Sequence, residues 1–297
     1  MQATLPTIPE MLAAAKGRPL LSFEFSPPKD DAGQDLLHAT ILELDQLNPD
    51  FVSVTYGASG STRDRTLGAT QFIKKRVGPQ TIGHLTCASQ SSDDLRDVVR
   101  GYAEVGVNHV LAIRGDMPGG PKAPWVRHPE GLDNATELVR LVKEVDPAFV
   151  VGVAAFPDGH PDKHDLALDA RLMLAKQEAG AEFAITQLFF DPAAYVRLRS
   201  TLDAIGCTLP VIAGVMPVTS LGQIERLAEM SGAPLPEAMV ARLQAVGDDP
   251  QAVRRVGVDL AVEFCQALLD EGVPGLHYFT FNRARATREI VARLADS

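Results

Sequence analysis

The chain has only three cysteines in 297 residues, Cys87, Cys207 and Cys265, and none belongs to a CxxC pair. An odd number without metal-type spacing excludes a disulfide framework and reads as reduced thiols in a reducing compartment, here expected to be the cytoplasm. No apolar run approaches the roughly 20 residues of a membrane span. The N-terminus lacks the basic, apolar and small-residue succession of a secretory leader. Basic charge is also scarce, with 28 Lys and Arg against 38 Asp and Glu, a net charge of −10. That balance argues against nucleic acid as a partner, because non-specific binding needs clustered bases. The dinucleotide fingerprint GxGxxG and the phosphate loop GxxxxGK(S/T) are both missing, so a doubly wound nucleotide-binding sheet loses its usual signature. What is present is a hydrophobic content of 45%, ample for a large core, with no low-complexity linker to divide it.

The stretch around which the chain is organised is LLSFEFSPP, residues 20–28. In a strand side chains alternate faces, so Phe23 and Phe25 point one way while Ser22, Glu24 and Ser26 point the other. Pro27 and Pro28 then end it. Ahead of it, Thr7 and Glu10 have capping-box spacing and open a leading helix over about residues 7–16. Asp31 and Gln34 repeat that spacing for the next helix. Further strands are predicted over 51–56, 81–87, 109–114, 150–156, 183–190, 209–216 and 276–281, most of them separated by one helical segment. Asp191 followed by Pro192 reads as an N-cap with proline at the first helical position, Ser220 with Gln223 caps another helix, and Asn282 is expected to cap the last.

Eight strands at roughly 30 residues per unit form a series of βαβ crossovers. The expected fold is α/β, a closed eight-stranded parallel β/α barrel as a single domain over 1–297, with a helical insertion over about 232–270 before the last strand. An open doubly wound sheet is the alternative.

Barrel enzymes carry their sites at strand carboxyl ends, and these ends are unusually polar. They present Glu24; Thr55 and Tyr56; His84 and Thr86; Arg114, Gly115 and Asp116; Phe156 with His160 beyond it; Thr186 and Gln187; then Tyr278, Thr280 and Asn282. Polar groups buried there without partners cost about 1–3 kcal/mol each, so a scaffold alone has no need of them. Each also has a plain structural reading. Glu24 could pair with Arg114, or be kept protonated by burial and available as an acid. His160 and His164 are four apart, but Pro161 disfavours a helical metal pair, so no metal is expected. Cys87 reads as a small buried side chain, and Gln187 as a partner for nearby backbone. Asp169 and Lys176 lie seven apart on a helix, a spacing that by itself favours a solvated face.

Eight segments say more than spacing does: SFEFSPPKD at Ser22, FVSVTYGASGSTRDRT at Phe51, HLTC at His84, LAIRGD at Leu111, VAAFPDGHP at Val153, AGAEFAITQLFFD at Ala179, VMPVTS at Val215 and HYFTFNRA at His277. In this order they resemble the methylenetetrahydrofolate reductase family over about residues 20–290. The resemblance implies a barrel binding FAD non-covalently and two successive hydride transfers in ping-pong order. NADH or NADPH would reduce the flavin, and 5,10-methylenetetrahydrofolate would then be reduced to 5-methyltetrahydrofolate. Folate and nicotinamide nucleotide are the implied small-molecule partners, and a homo-oligomer the implied assembly. Glu24 matches the family's general acid, which protonates the departing N10, with burial expected to raise its pKa. Asp116 matches a group near flavin and folate, Gln187 an amide on the pterin or nicotinamide, and Leu227 an apolar contact to the substrate. Thr55, His84, Arg114, Gly115, Ala154, Phe156, His160, Asp169 and Lys176 match flavin contacts, the last two reversing the solvated-face reading. Asn134 and Phe156 depart from the tyrosines common in relatives, and Ser26 from a phenylalanine. Asn134 with Glu137 forms a capping pair, which would serve the helix while removing a flavin contact.

Overall fold

A computed structural model describes residues 5–28, 30–56, 60–120, 123–247 and 249–296, with the side chains of 60–65 left out of account. The Gly/Ser loop expected after the second strand falls partly at 57–59, outside the described residues. Eight parallel strands close on themselves in sequence order: β1 Leu20–Phe25, β2 Phe51–Val54, β3 Gln80–Thr86, β4 His109–Ile113, β5 Val150–Ala155, β6 Phe183–Thr186, β7 Val211–Val215 and β8 Gly275–Phe279. The last seals onto the first with Ser22 opposite His277 and Glu24 opposite Phe279. The barrel is therefore closed and the open-sheet alternative falls.

Strand alternation sorts the side chains into two cores. Outward residues such as Phe23, Phe25, Val52, Val54 and Tyr278 pack against the surrounding helices. Inward residues Leu20, Phe51, Ile82, Leu111, Val150, Phe183, Ile185 and Ile212 fill the barrel's lower half. Helix α1 (Ile8–Ala14) stoppers that end, with Ile8 fully buried and Met11 and Leu12 against the same cluster. Its Thr7–Glu10 capping box is formed. The backbone N–H of Ile8 donates to Nε2 of His109 at 3.3 Å. The ring's proton therefore lies on Nδ1 in the neutral form, and it donates to Oδ1 of Asn108 at 2.9 Å.

The outer helices are α2 Asp31–Asp45, α3 Gly60–Arg76, α4 Ser92–Glu104, α5 Ala135–Val145, α6 Leu166–Glu178, α7 Pro192–Ala204 and α11 Ala284–Ala295. Between β7 and β8 run α8 Leu221–Ser231, α9 Glu237–Gln244 and α10 Pro250–Asp270; α10 packs on α7, α11 and β7. Two expected caps move. Asp30, not Asp31, caps α2 by accepting from the Gly33 N–H at 2.7 Å, because Asp30 has the extended backbone an N-cap requires. Asn282 does not cap α11, whose N-cap is Arg283 with no side-chain bond. Asn282 instead has φ of +54° and clasps Ser26, accepting its N–H at 2.9 Å and donating to its carbonyl at 2.8 Å. That clasp ties the exits of β1 and β8 together at the barrel's mouth.

Several strand predictions ran too long, and for two of them the cause is visible. The chain leaves β6 at Gln187, whose Oε1 accepts the Leu188 N–H at 3.0 Å in place of a ladder partner. β7 begins only after Pro210, which has no N–H to donate to a ladder.

Candidate active site

The carboxyl ends of the strands surround a cavity of about 670 Å³. This lies within the range of roughly 300–1,000 Å³ typical of small-molecule sites. The residues matched to the family's site all line it: Glu24, Thr55 and His84 on one side, Arg114, Gly115 and Asp116 from the exit of β4, Ala154, Phe156 and His160 from β5. Asp169 and Lys176 reach it from α6, Gln187 from the exit of β6 and Leu227 from α8. Asp116 and Gln187 stand exposed at the rim, whereas His84 and Asp169 are buried.

At the inner wall, Oε2 of Glu24 lies 3.6 Å from Nε2 of His84 and 3.7 Å from Nε2 of His277. The suggested pairing with Arg114 does not form: its Nη1 donates to Oδ2 of Asp162 at 2.8 Å, and its guanidinium lies 5.1 Å over the Trp125 ring. The expected upward shift of Glu24 is not found either. Burial opposes its charge, but the hydrogen-bonding position of His277 and the imidazoles of His84 and His277 outweigh that opposition and hold the carboxyl below its ordinary range. Burial drives His84 down to about 4, against the pull of Glu24, and it is neutral at physiological pH. Its Nε2 is buried without a hydrogen-bond partner among the described residues.

Sequence reasoning missed His277. It assigned Tyr278, Thr280 and Asn282 to the site from the eighth strand, but Tyr278 points outward into the helix layer. The inward residues of β8 are His277 and Phe279. Counting alternation from Gly275, which pairs with inward Leu20, finds them. Thr280 holds the neighbouring backbone, its hydroxyl donating to the Glu24 carbonyl at 2.6 Å. Phe281, on the cavity wall with φ of +49°, was missed as well.

The opposite end is built on α6. Asp169 accepts from the His160 N–H at 2.7 Å, and Lys176 donates to the Ala154 carbonyl at 3.2 Å. Neither is on a solvated face. Burial lowers Lys176 to about 8, with Asp169 opposing. Burial also lowers His160, whose ring packs edge-on against Phe156 with centroids 4.7 Å apart. Gly115 has φ of +80°, and a Cβ there would come within 2.6 Å of the Cβ of Thr86, so the turn out of β4 needs glycine. Asn134 takes its helix-capping role, accepting from the Glu137 N–H at 3.1 Å. Cys87 is buried and its thiol is pushed up to about 12 by desolvation, which leaves it inert. Among the described residues no cluster of metal-ligating side chains occurs, and no helix is long and apolar enough to cross a membrane.

A closed β/α barrel whose strand ends deliver a half-buried carboxylate, a buried imidazole and a cationic far wall to one cavity has the build of a barrel enzyme. Its kinship makes that class particular. The methylenetetrahydrofolate reductase family model matches residues 10–295. The chain is 36% identical over 281 residues to the 5,10-methylenetetrahydrofolate reductases of Pectobacterium carotovorum subsp. carotovorum and Escherichia coli (strain K12), covering 95% of this chain and 92% of each relative. The chain belongs to the methylenetetrahydrofolate reductase family. Among solved structures, an uncharacterized Clostridium thermocellum protein that binds two copies of 5-methyl-5,6,7,8-tetrahydrofolic acid shares the fold, with a TM-score of 0.68 at 15% identity over 98% of both chains.

Proposed function

We propose that this cavity reduces 5,10-methylenetetrahydrofolate to 5-methyltetrahydrofolate, with FAD held non-covalently and NADH or NADPH as the reductant in a ping-pong sequence. The observation that carries the reading is Glu24, the inward carboxylate of β1, set at the inner wall of a cavity whose rim bears Asp116 and Gln187. Reduction of the methylene bridge first requires the imidazolidine ring to open. The C–N10 bond breaks, its electron pair leaves with N10, and N10 must take a proton. In this reading Glu24 donates it, and Asp116 and Gln187 hold the pterin by hydrogen bonds. Leu227 supplies an apolar surface for the flat ligand.

The residues present also fit a flavin dinucleotide. The far wall offers Arg114, His160 and Lys176 to a diphosphate and ribose, with Asp169 holding the His160 backbone. The buried Nε of Arg114 and Nε2 of His84 lack partners among the described residues, which suits a ligand bringing hydrogen-bond acceptors. Thr55, Gly115, Ala154 and Phe156 complete the wall. When bound, the flavin supplies two-electron chemistry linking nicotinamide to folate. Family kinship supports a cytoplasmic homo-oligomer.

The test is the visible spectrum of the purified protein under anaerobic conditions. A flavin band bleached by NADH or NADPH and restored by methylenetetrahydrofolate is expected. A colourless protein that still reduces the folate would remove FAD and the ping-pong order; a protein that consumes no reduced nicotinamide would remove the reductase reading.

A further inference from the structure

Resting on that reading, the geometry points to His277 as a positioning residue that stores the proton Glu24 delivers, with Ser22 fixing the ring so that Nε2 faces the carboxylate. His277 is fully buried, stacked on Phe51 with centroids 5.7 Å apart and met edge-on by Phe279 at 5.8 Å. Its Nδ1 lies 2.8 Å from the Ser22 hydroxyl and its Nε2 3.2 Å from that of Ser53. The Ser22 hydroxyl donates its one hydrogen to the Leu276 carbonyl at 3.3 Å, so its oxygen accepts from Nδ1–H. Nε2 is then the ring atom that gains and loses a proton. Ser53 adapts to either state, because a hydroxyl both donates and accepts.

The groups facing Glu24 are His277 from β8 and His84 from β3, together with the Ser53 hydroxyl that shares Nε2. His84 is neutral, so the proton to be delivered passes between Oε2 of Glu24 and Nε2 of His277, 3.7 Å apart. Carboxylate with imidazolium, and carboxylic acid with imidazole, hold the same number of protons and the same net charge. Which arrangement prevails depends on solvation. With its side chain 19% exposed, Glu24 is hydrated enough to stay charged. A flat ligand covering it removes that water, and desolvation disfavours the separated charges. The Nε2–H bond then breaks as the O–H bond forms, and Glu24 becomes the acid the ring opening requires without taking a proton from solvent. The 3.7 Å separation closes with a small side-chain rotation, as expected of a contact that tightens with substrate.

The test is direct titration of Glu24 by carboxyl carbon NMR in protein labelled with ¹³C-glutamate, its resonance identified by its loss in Glu24→Gln. His277→Gln is expected to move that titration upward by at least one pH unit. Ser22→Ala, which deprives the charged ring of its Nδ1 acceptor, is expected to move it the same way by a smaller amount and serves if His277→Gln does not fold. In turnover, methylenetetrahydrofolate reduction by His277→Gln falls about tenfold per pH unit above the variant's Glu24 titration and begins that fall at lower pH than wild type. A Glu24 titration unmoved in both variants overturns the proposal. Retention of folate reduction by Glu24→Gln overturns the parent reading instead, so the two failures are distinguishable.

Discussion

His109 links the stopper helix to the barrel floor and makes the fold sensitive to acid in a calculable way. Its ring is fully buried, and desolvation is the main reason its pKa falls from 6.5 to about 3, with Lys74 adding to the effect. A histidine depressed in the folded state binds its proton more readily when unfolded. Its contribution is therefore intact above pH 6.5 and is lost progressively as pH falls towards 3. Between pH 7 and pH 5 the loss comes to about 2 kcal/mol, at about 1.4 kcal/mol per pH unit below the unfolded value. Protonation of Nε2 would also abolish the acceptor for the Ile8 N–H, so α1 should detach first. The assay is urea unfolding at both pH values for wild type and His109→Gln, whose amide oxygen can still accept from Ile8 but cannot titrate. Wild type should lose about 2 kcal/mol more than the variant, with other titrating groups cancelling in the comparison. Equal losses in the two proteins would refute the reasoning.

Glu24→Gln should abolish folate reduction while NADH-dependent bleaching of the flavin persists; stopped-flow measurement of each half-reaction checks this, and equal loss in both contradicts the acid assignment. Lys176→Met should weaken FAD binding at least tenfold, measured by fluorescence titration of the apoprotein. Removing a buried amine whose pKa is depressed to about 8 should also stabilise that apoprotein by on the order of 1–3 kcal/mol, visible as a higher melting temperature. Gly152→Ala drives a Cβ into the inward Phe183 ring, and the overpacked barrel should lose about 1–3 kcal/mol in urea.

The sequence by itself determined much of this protein. Eight apolar runs alternating with helical segments leave few ways to bury both faces of each strand, and closure is the economical one. Period-two alternation set Glu24 and Ser22 inward and the flanking phenylalanines outward, because a strand offers only two faces. Resemblance brought Asp169 and Lys176 into the site against their spacing. Tertiary structure alone decided what each group faces. Glu24 meets His84 and His277 from strands 60 and more than 250 residues away, while Arg114 turns to Asp162 and Trp125. The direction of the Glu24 shift followed from those neighbours, since burial and attraction oppose one another and only distances say which prevails. Asn282 was legible as a polar residue before a helix, but not as the clasp on Ser26, because a cap and a cross-strand bond use the same side-chain amide and only the meeting of the first strand with the last distinguishes them.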